Sequence, residues 1–337
     1  MRLNHACDKK SDKPGAGRYA EAMPAAPTNL LTAIGFKLTS ALLFATMSAL
    51  VRQLGEVAPV GQMVFFRSAF AIPPVLLIYA LRGEFMSAIR TRRPFGQLGR
   101  GALSTFGMFT NFSALTRLPL AEATAINFAS PLITVALAAL ILKERVRIFR
   151  WSAVAVGFFG VIVMLIPNLS LEHYAAAGAG SVALAGSLYA IASAFCNAGT
   201  VIQTRRLTQS EPTASIVFYF SLITTLAGAV TLPFAWHSPT AMELTGLIAT
   251  GVLGGIAHIF LTESYRHATA SVIAPFDYTA MLWALLLGYW VFGELPSALV
   301  YVGAAIVAAA GLAVIFRERW LGLQRAREAE GLRRPEI

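Results

Sequence analysis

Few residues in this chain have types and positions suited to chemistry, and the most conspicuous lies in the stretch APFDYTAMLWALLLGYWVFGELP, Ala274 to Pro296. The stretch is almost wholly apolar and long enough to cross a bilayer, yet it carries the carboxylate Asp277 within its first two turns. An ionised Asp near the middle of a bilayer costs roughly 2.5–3.5 kcal/mol by insertion scales. A carboxylate kept there is expected to have a partner or a task. Lys37, Arg67 and Asn127 lie inside other apolar runs and raise the same question. Such residues can hold a polar solute, carry a coupling proton, or neutralise one another.

Other chemistries leave no trace. There is no Walker loop to cradle phosphates and no HExxH, GxSxG or CxxC motif, and the five histidines are scattered. Neither a metal site, a cofactor nor a catalytic nucleophile is expected. Cys7 and Cys196 fall in a polar tail and an apolar run, so no disulfide framework is expected.

The elements that must position these groups follow from composition. The 337 residues are 56% hydrophobic and only 13% charged, with a mean hydropathy of +0.64. Soluble domains carry about 25% charged residues, so an all-α integral membrane protein is expected. The net charge of +10 would suggest nucleic acid in a soluble chain. Here it reads as basic loops on one side of a membrane, and no nucleic-acid partner is expected. Residues 1–29 are polar and basic, and their small-residue run precedes the first apolar span, the wrong order for a signal peptide. They read as a disordered cytoplasmic tail. Residues 317–337 read as a basic tail, a short helix on the membrane surface followed by a frayed end.

About 20 apolar residues cross a bilayer core. On that template ten spans are expected, at 30–50, 60–81, 98–116, 119–142, 151–167, 180–203, 214–235, 243–265, 270–292 and 297–316. With the N-terminus in the cytoplasm, 23 Lys/Arg fall on the cytoplasmic side and only Arg52 and Arg117 on the other. A shift of 153 lays Ser40 on Ser193, Ala45 on Ala198, Arg52 on Arg205, Pro59 on Pro212 and Phe65 on Phe218. A shift of 150 lays Asn127 on Asp277 and Glu144 on Glu294. The halves 30–167 and 180–316 then hold five spans each, and an odd number makes the repeat inverted. Inverted repeats are a mark of secondary transporters, whose solute site lies near the midplane between the halves.

Helical periodicity puts Ala280, Ala284 and Gly288 on the Asp277 face, with Trp283, Leu286 and Trp290 opposite. Thr124, Ser130 and Thr134 fall beside Asn127, and Ser40 and Ser48 beside Lys37. Three small, polar faces around one ionisable or amide group each are what a solute path looks like in sequence. Small residues also line membrane helix contacts, and Lys37 and Asp277 could simply neutralise each other. Arg67 sits on a less polar face, from which its long side chain can reach outward. Glu294 and Glu144 read as hairpin ends, His258 as a satisfied core histidine, and Gly251 with Gly255 as close helix packing. Phe106, Phe109 and Phe112 recur at helical spacing and could stack a flat solute.

The stretches PLAEATAINFASPLITVALAALILKERV, RWSAVAVGFFGVIVML and ATASVIAPFDYTAMLWALLLGYWVFGELP resemble the EamA-type carriers of the drug/metabolite transporter superfamily. The likeness covers nearly all of 30–316. It implies ten spans in two inverted five-helix halves, both termini cytoplasmic, in a bacterial inner membrane. It also implies a cavity walled by spans one, three, four, six, eight and nine. Activities in such carriers include export of amino acids and other metabolites and uptake of riboflavin or S-adenosylmethionine. The wording of the SPL and FDYTA spans is nearest the uptake-type members, riboflavin carriers among them. The expected function is therefore alternating-access transport of a small organic metabolite, riboflavin uptake first, with a proton-coupled exporter as the alternative. A membrane-embedded enzyme or a scaffold are the rivals from other classes. Solute and lipid are the expected partners, and a homodimer stays open. The expected solute or coupling residues are Asp277, Asn127, Lys37, Ser40, Thr124, Ser130, Phe109 and Tyr278. The orientation is testable with single cysteines at Ser170, Pro239 and Thr91 in a Cys-free background. The first two are expected to react with an impermeant thiol reagent on intact cells, and labelling at Thr91 reverses the orientation.

Overall fold

The computed structural model describes residues 30–83, 85–141, 148–169, 179–207, 210–267 and 274–331. Among these the regular structure is entirely helical. In order come α1 (Leu30–Leu54), α2 (Val60–Ala69), α3 (Ile72–Leu81), α4 (Phe85–Ile89), α5 (Pro94–Leu115), α6 (Leu120–Asn127) and α7 (Ser130–Ile141). After them come α8 (Ile148–Leu169), α9 (Ala179–Leu207), α10 (Thr213–Thr231), α11 (Ala241–His267), a 3-10 turn (Ala274–Tyr278), α12 (Thr279–Phe292) and α13 (Ala298–Gly331). Seven stretches are long and apolar enough to cross a membrane, and two shorter apolar helices lie at Trp151–Met164 and Phe276–Phe292. The remaining span, the third, is α5, whose hydropathy is diluted by Gln97, Arg100, Ser104, Thr105 and Asn111.

Three of the ten spans are not single α-helices, which periodicity alone did not anticipate. The second is α2 plus α3, the fourth α6 plus α7, and the ninth opens with the 3-10 turn. Proline explains the first two breaks. A helical proline lacks the amide donor and its ring meets the carbonyl four residues back. Pro73 would meet Ala69, and Pro131 would meet Asn127; those two residues end α2 and α6. Asp277 thus lies in a 3-10 turn rather than an α-helix, but beyond it the expected face holds. Ala284 and Gly288 are buried and Trp290 and Leu286 exposed; the exception is Trp283, half-buried with its indole Nε1 inside.

The chain ends alternate between two faces of the bundle. On one face Arg52, at the end of α1, pairs with Glu294 beyond α12 and donates to the Leu115 and Leu118 carbonyls. On that same face Gln62 of α2 bonds the backbone of His237, between α10 and α11. On the other, basic face Arg82 after α3 pairs with Glu263 near the end of α11. There Glu211, between α9 and α10, accepts the amides of Arg92 and Arg93 before α5. This is the alternation that ten antiparallel spans require. The packing also survives exchange of the halves: α1 lies against α11 as α9 lies against α5, and α8–α13 and α2–α10 each map onto themselves.

Two expectations change. The helix α13 runs uninterrupted to Gly331 instead of stopping before a separate surface helix; residues 317–331 contain no proline and several strong helix formers. Arg100, grouped with the loop cations in the sequence, is the seventh residue of α5 and lies within a span. The tails at 1–29 and 332–337, and Glu144, lie outside the described residues. Gly251 packs against Phe66 and Phe70, and Gly255 against Ala71 and Pro74, so this pair does serve close packing, against the broken second span. The tightest crossing is α8 on α13, where a Cβ on Gly303 would come within 2.5 Å of the Gly160 carbonyl oxygen. Gly303→Ala is therefore expected to destabilise by about 1–3 kcal/mol, the usual range for overpacking. Gly35→Ala, where nothing lies within 4 Å, serves as the neutral control. Melting temperatures in detergent compare the two; equal melting means the helices part without cost.

Candidate solute cavity

Two chambers that share wall residues are lined from both halves. The first, about 300 Å³, is lined by Arg67, Arg100, Ser104, Asn111, Phe220 and His258 among others. The second, about 210 Å³, is lined by Phe44, Ser48, Asn111, Thr124, Asn127, Asn197 and Ala280 among others. Asn111 and Asn197 belong to both walls. Spans one, three, four, six, eight and nine all contribute, as the resemblance implies, and spans two and seven add Arg67, Val217 and Phe220.

The amide chamber is built by the break after α6. Because Pro131 ends the helix at Asn127, that side chain sits at a free helix terminus beside α5. Its Nδ2 donates to Asn111 Oδ1 at 2.9 Å and to the Ala123 carbonyl at 3.0 Å. Its Oδ1 is buried and has no hydrogen-bond partner. An unmet buried acceptor costs about 1–3 kcal/mol, and a solute donor in this chamber would satisfy it. Thr124, one turn earlier, lines the same wall while its hydroxyl donates to the Leu120 carbonyl.

The other candidates have different surroundings. Lys37 Nζ and Asp277 Oδ1 are 2.5 Å apart, so the two charges pair across α1 and the 3-10 turn. The pair is uneven: the Lys37 side chain is 3% exposed and that of Asp277 49%. Neither belongs to the walls of the two chambers, though Ala280, three residues beyond Asp277, does. Ser40 Oγ donates to the Ala257 carbonyl at 2.9 Å and ties α1 to α11. Tyr278 stacks on Phe128 with ring centroids 5.0 Å apart, and its hydroxyl presses on Gly311. Phe109 packs against the hydrophobic core, and Ser130 begins α7 beyond the break. Thr124 and Asn127 are thus the two candidates brought into a chamber wall.

Arg67 and His258 have more prominent positions than a single-helix reading gave them. Arg67 is 4% exposed, turned inward and not outward, and its Nη2 lies 3.3 Å from His258 Nε2. The guanidiniums of Arg67 and Arg100 lie over the same ring, Phe220, at 5.8 and 5.6 Å from its centroid. The repeat held the signal for this: under the shift of 153, Arg67 and Phe220 are mates. Mates related by a twofold axis can touch only near that axis, which for an inverted repeat lies in the membrane plane. Both stand seven residues into their helices, α2 and α10, about 10 Å deep at 1.5 Å per residue.

Among known proteins, the model of the EamA-like transporter family matches residues 31–166 and again 184–317. An S-adenosylmethionine uptake transporter of Rickettsia prowazekii is 31% identical over 76% of this chain and 81% of its own. A riboflavin transporter of Rhizobium johnstonii is 30% identical, with coverage of 86% and 87%. A pseudopaline exporter of Pseudomonas aeruginosa is 29% identical, with coverage of 80% and 91%. A solved crystal structure shares the fold, with a TM-score of 0.60 at 22% identity over 86% of this chain and 99% of that one.

The uneven charge pair generates an ordered prediction. Removing one partner of a buried pair costs about 3–5 kcal/mol, because the other charge stays buried alone. Since Lys37 is the buried member, Asp277→Asn is expected to lower folded yield more than Lys37→Met, and both changes together should recover yield. Additive losses in monodisperse protein, read by fluorescence-detected gel filtration, would show that the two residues act independently.

Proposed function

Because the chain belongs to the EamA-like transporter family, we propose that it moves a small organic metabolite across a bacterial inner membrane by alternating access, as a secondary transporter. The observation that carries this reading is the two-chamber cavity, walled by eight spans drawn from both halves. The Arg52–Glu294 pair draws α1, the α5–α6 connection and the end of α12 together on one face, so rocking one half against the other requires that contact to loosen. In this proposal both termini are cytoplasmic, and Asn127 Oδ1 takes a donor from the solute. Asp277, half-exposed beside Lys37, is the group placed to bind and release a coupling proton.

Uptake of riboflavin is the first substrate to test, supported by the relative of that name. S-adenosylmethionine is the second reading, supported by the other uptake relative and by the cations of the first chamber, which suit its carboxylate. Purified protein in liposomes, assayed with both compounds in both directions, tests transport and direction together. Asn127→Ala is expected to raise KM severalfold with a smaller change in maximal rate. The Lys37→Met, Asp277→Asn double variant is expected to lose any proton-gradient dependence of flux. Unchanged dependence assigns the pair to helix packing alone. Rescue of auxotrophs for either compound gives the cellular check.

A further inference from the structure

We propose that Arg67 and Arg100 form an oxyanion-binding subsite near the membrane midplane, which takes a carboxylate or phosphate group of the solute; this rests on the transport reading above. Arg67 is 96% removed from solvent by the measure that leaves it 4% exposed, and its Nε and Nη1 have no hydrogen-bond partner. Arg67 lines the chamber, and a guanidinium offers planar forks of donors, Nη2 with either neighbouring nitrogen, the geometry that pairs with an oxyanion in bidentate fashion. Arg100 is held in place from behind, with Nε donating to Thr204 Oγ1 at 2.7 Å and Nη1 to the Ile216 carbonyl at 3.2 Å.

The counter-charge is missing in a specific way. Among the described residues no carboxylate lies within ion-pair distance of either guanidinium, and no acidic residue lines the chamber. Other acids of the bundle are engaged elsewhere: Asp277 with Lys37, Glu294 with Arg52, Glu263 with Arg82, and Glu211 with the Arg92 and Arg93 amides. Two cations against one aromatic ring inside a bilayer repel each other, and Phe220 offsets only part of this through its ring electrons. His258, 3.3 Å from Arg67, supplies no negative charge. A solute oxyanion completes the arrangement, with Met47, Met108 and Phe112 as an apolar bed for the rest of the molecule.

Two compound pairs separate the charge from the scaffold that bears it. Flavin mononucleotide differs from riboflavin by a phosphate, and S-adenosylhomocysteine differs from methylthioadenosine by its amino-acid end. The full chain in lipid nanodiscs is titrated with each of the four and its thermal melting followed. In at least one pair the member that carries the phosphate or carboxylate is expected to bind tenfold or more tightly than the one that lacks it. That ratio should fall toward one in Arg67→Gln and in Arg100→Gln, and Arg100→Lys should restore part of it. Should Arg67→Gln not fold, Arg100→Gln, a less buried position, decides the matter. A preference in the flavin pair alone assigns the subsite to phosphate, and one in the adenosyl pair alone to carboxylate. No preference in either pair, or one that both variants leave intact, overturns the subsite. Liposome flux of the same compounds keeps the two proposals apart. Flux without anion preference overturns the subsite and leaves transport standing; anion-selective binding without flux of any compound does the reverse.

Discussion

In hydrocarbon a backbone amide or carbonyl has no water to bond, so every span must satisfy its own backbone or lean on protein that does. The rest of this molecule follows from that constraint. It makes the spans helical, and it restricts where a helix can stop. The three interrupted spans stop in the interior of the bundle: α2 at Ala69, α6 at Asn127, and the ninth span at its 3-10 opening. At each place a proline or a 3-10 turn withdraws backbone bonds, and neighbouring helices cover the gap. Gly251 and Gly255 let α11 close over the first break. The ring of Tyr278, pressed between Phe128 and Gly311, fills the space between the other two. Polar groups gather at the breaks because exposed helix ends need them and because a cavity wall can hold them.

The same constraint explains why ten spans and their alternation were legible in the sequence. A span must be apolar along its whole length, so hydropathy marks it; basic loops must stay on one side, so charge marks direction. The Lys37–Asp277 pair was legible too, because both charges stand about seven residues inside their spans on the same side. The breaks were harder to see. Pro73, Pro74 and Pro131 announce them, but an apolar run containing proline still scores as one span, and membrane helices tolerate kinks.

The grouping of Arg67, Arg100 and His258 was not legible for a different reason. Periodicity ranks a residue by its neighbours on one helix, and Arg67 has Met63, Ala71 and Pro74 for neighbours. What makes Arg67 polar in its surroundings is on other helices: Phe220 on α10, Arg100 on α5 and His258 on α11. Arg100 fell inside the expected span 98–116 but was counted with the loop cations, because it stands only two residues from the start of that span. The pairing of Arg67 with its own repeat mate was the one sequence signal that pointed to the centre of the molecule. It required asking which aligned residues could touch, not which were identical.

The charges inside the bundle therefore divide by how they are neutralised. Lys37, Arg52 and Arg82 each have a carboxylate, and those pairs join separate segments of the bundle. Arg67 and Arg100 have only an aromatic ring, hydroxyl and carbonyl oxygens and an imidazole, and they stand where the two halves meet. A protein carboxylate beside them would hold the guanidiniums in one arrangement and compete with any anionic solute. In the proposed reading, leaving that position open makes the centre less stable when empty and more stable when filled, and this difference would let a solute influence which arrangement of the halves prevails. A ligand shifts a conformational equilibrium only by its differential affinity for the two states. A centre built on the pseudo-twofold axis, touched by both halves, is where such a difference arises with the smallest movement of either.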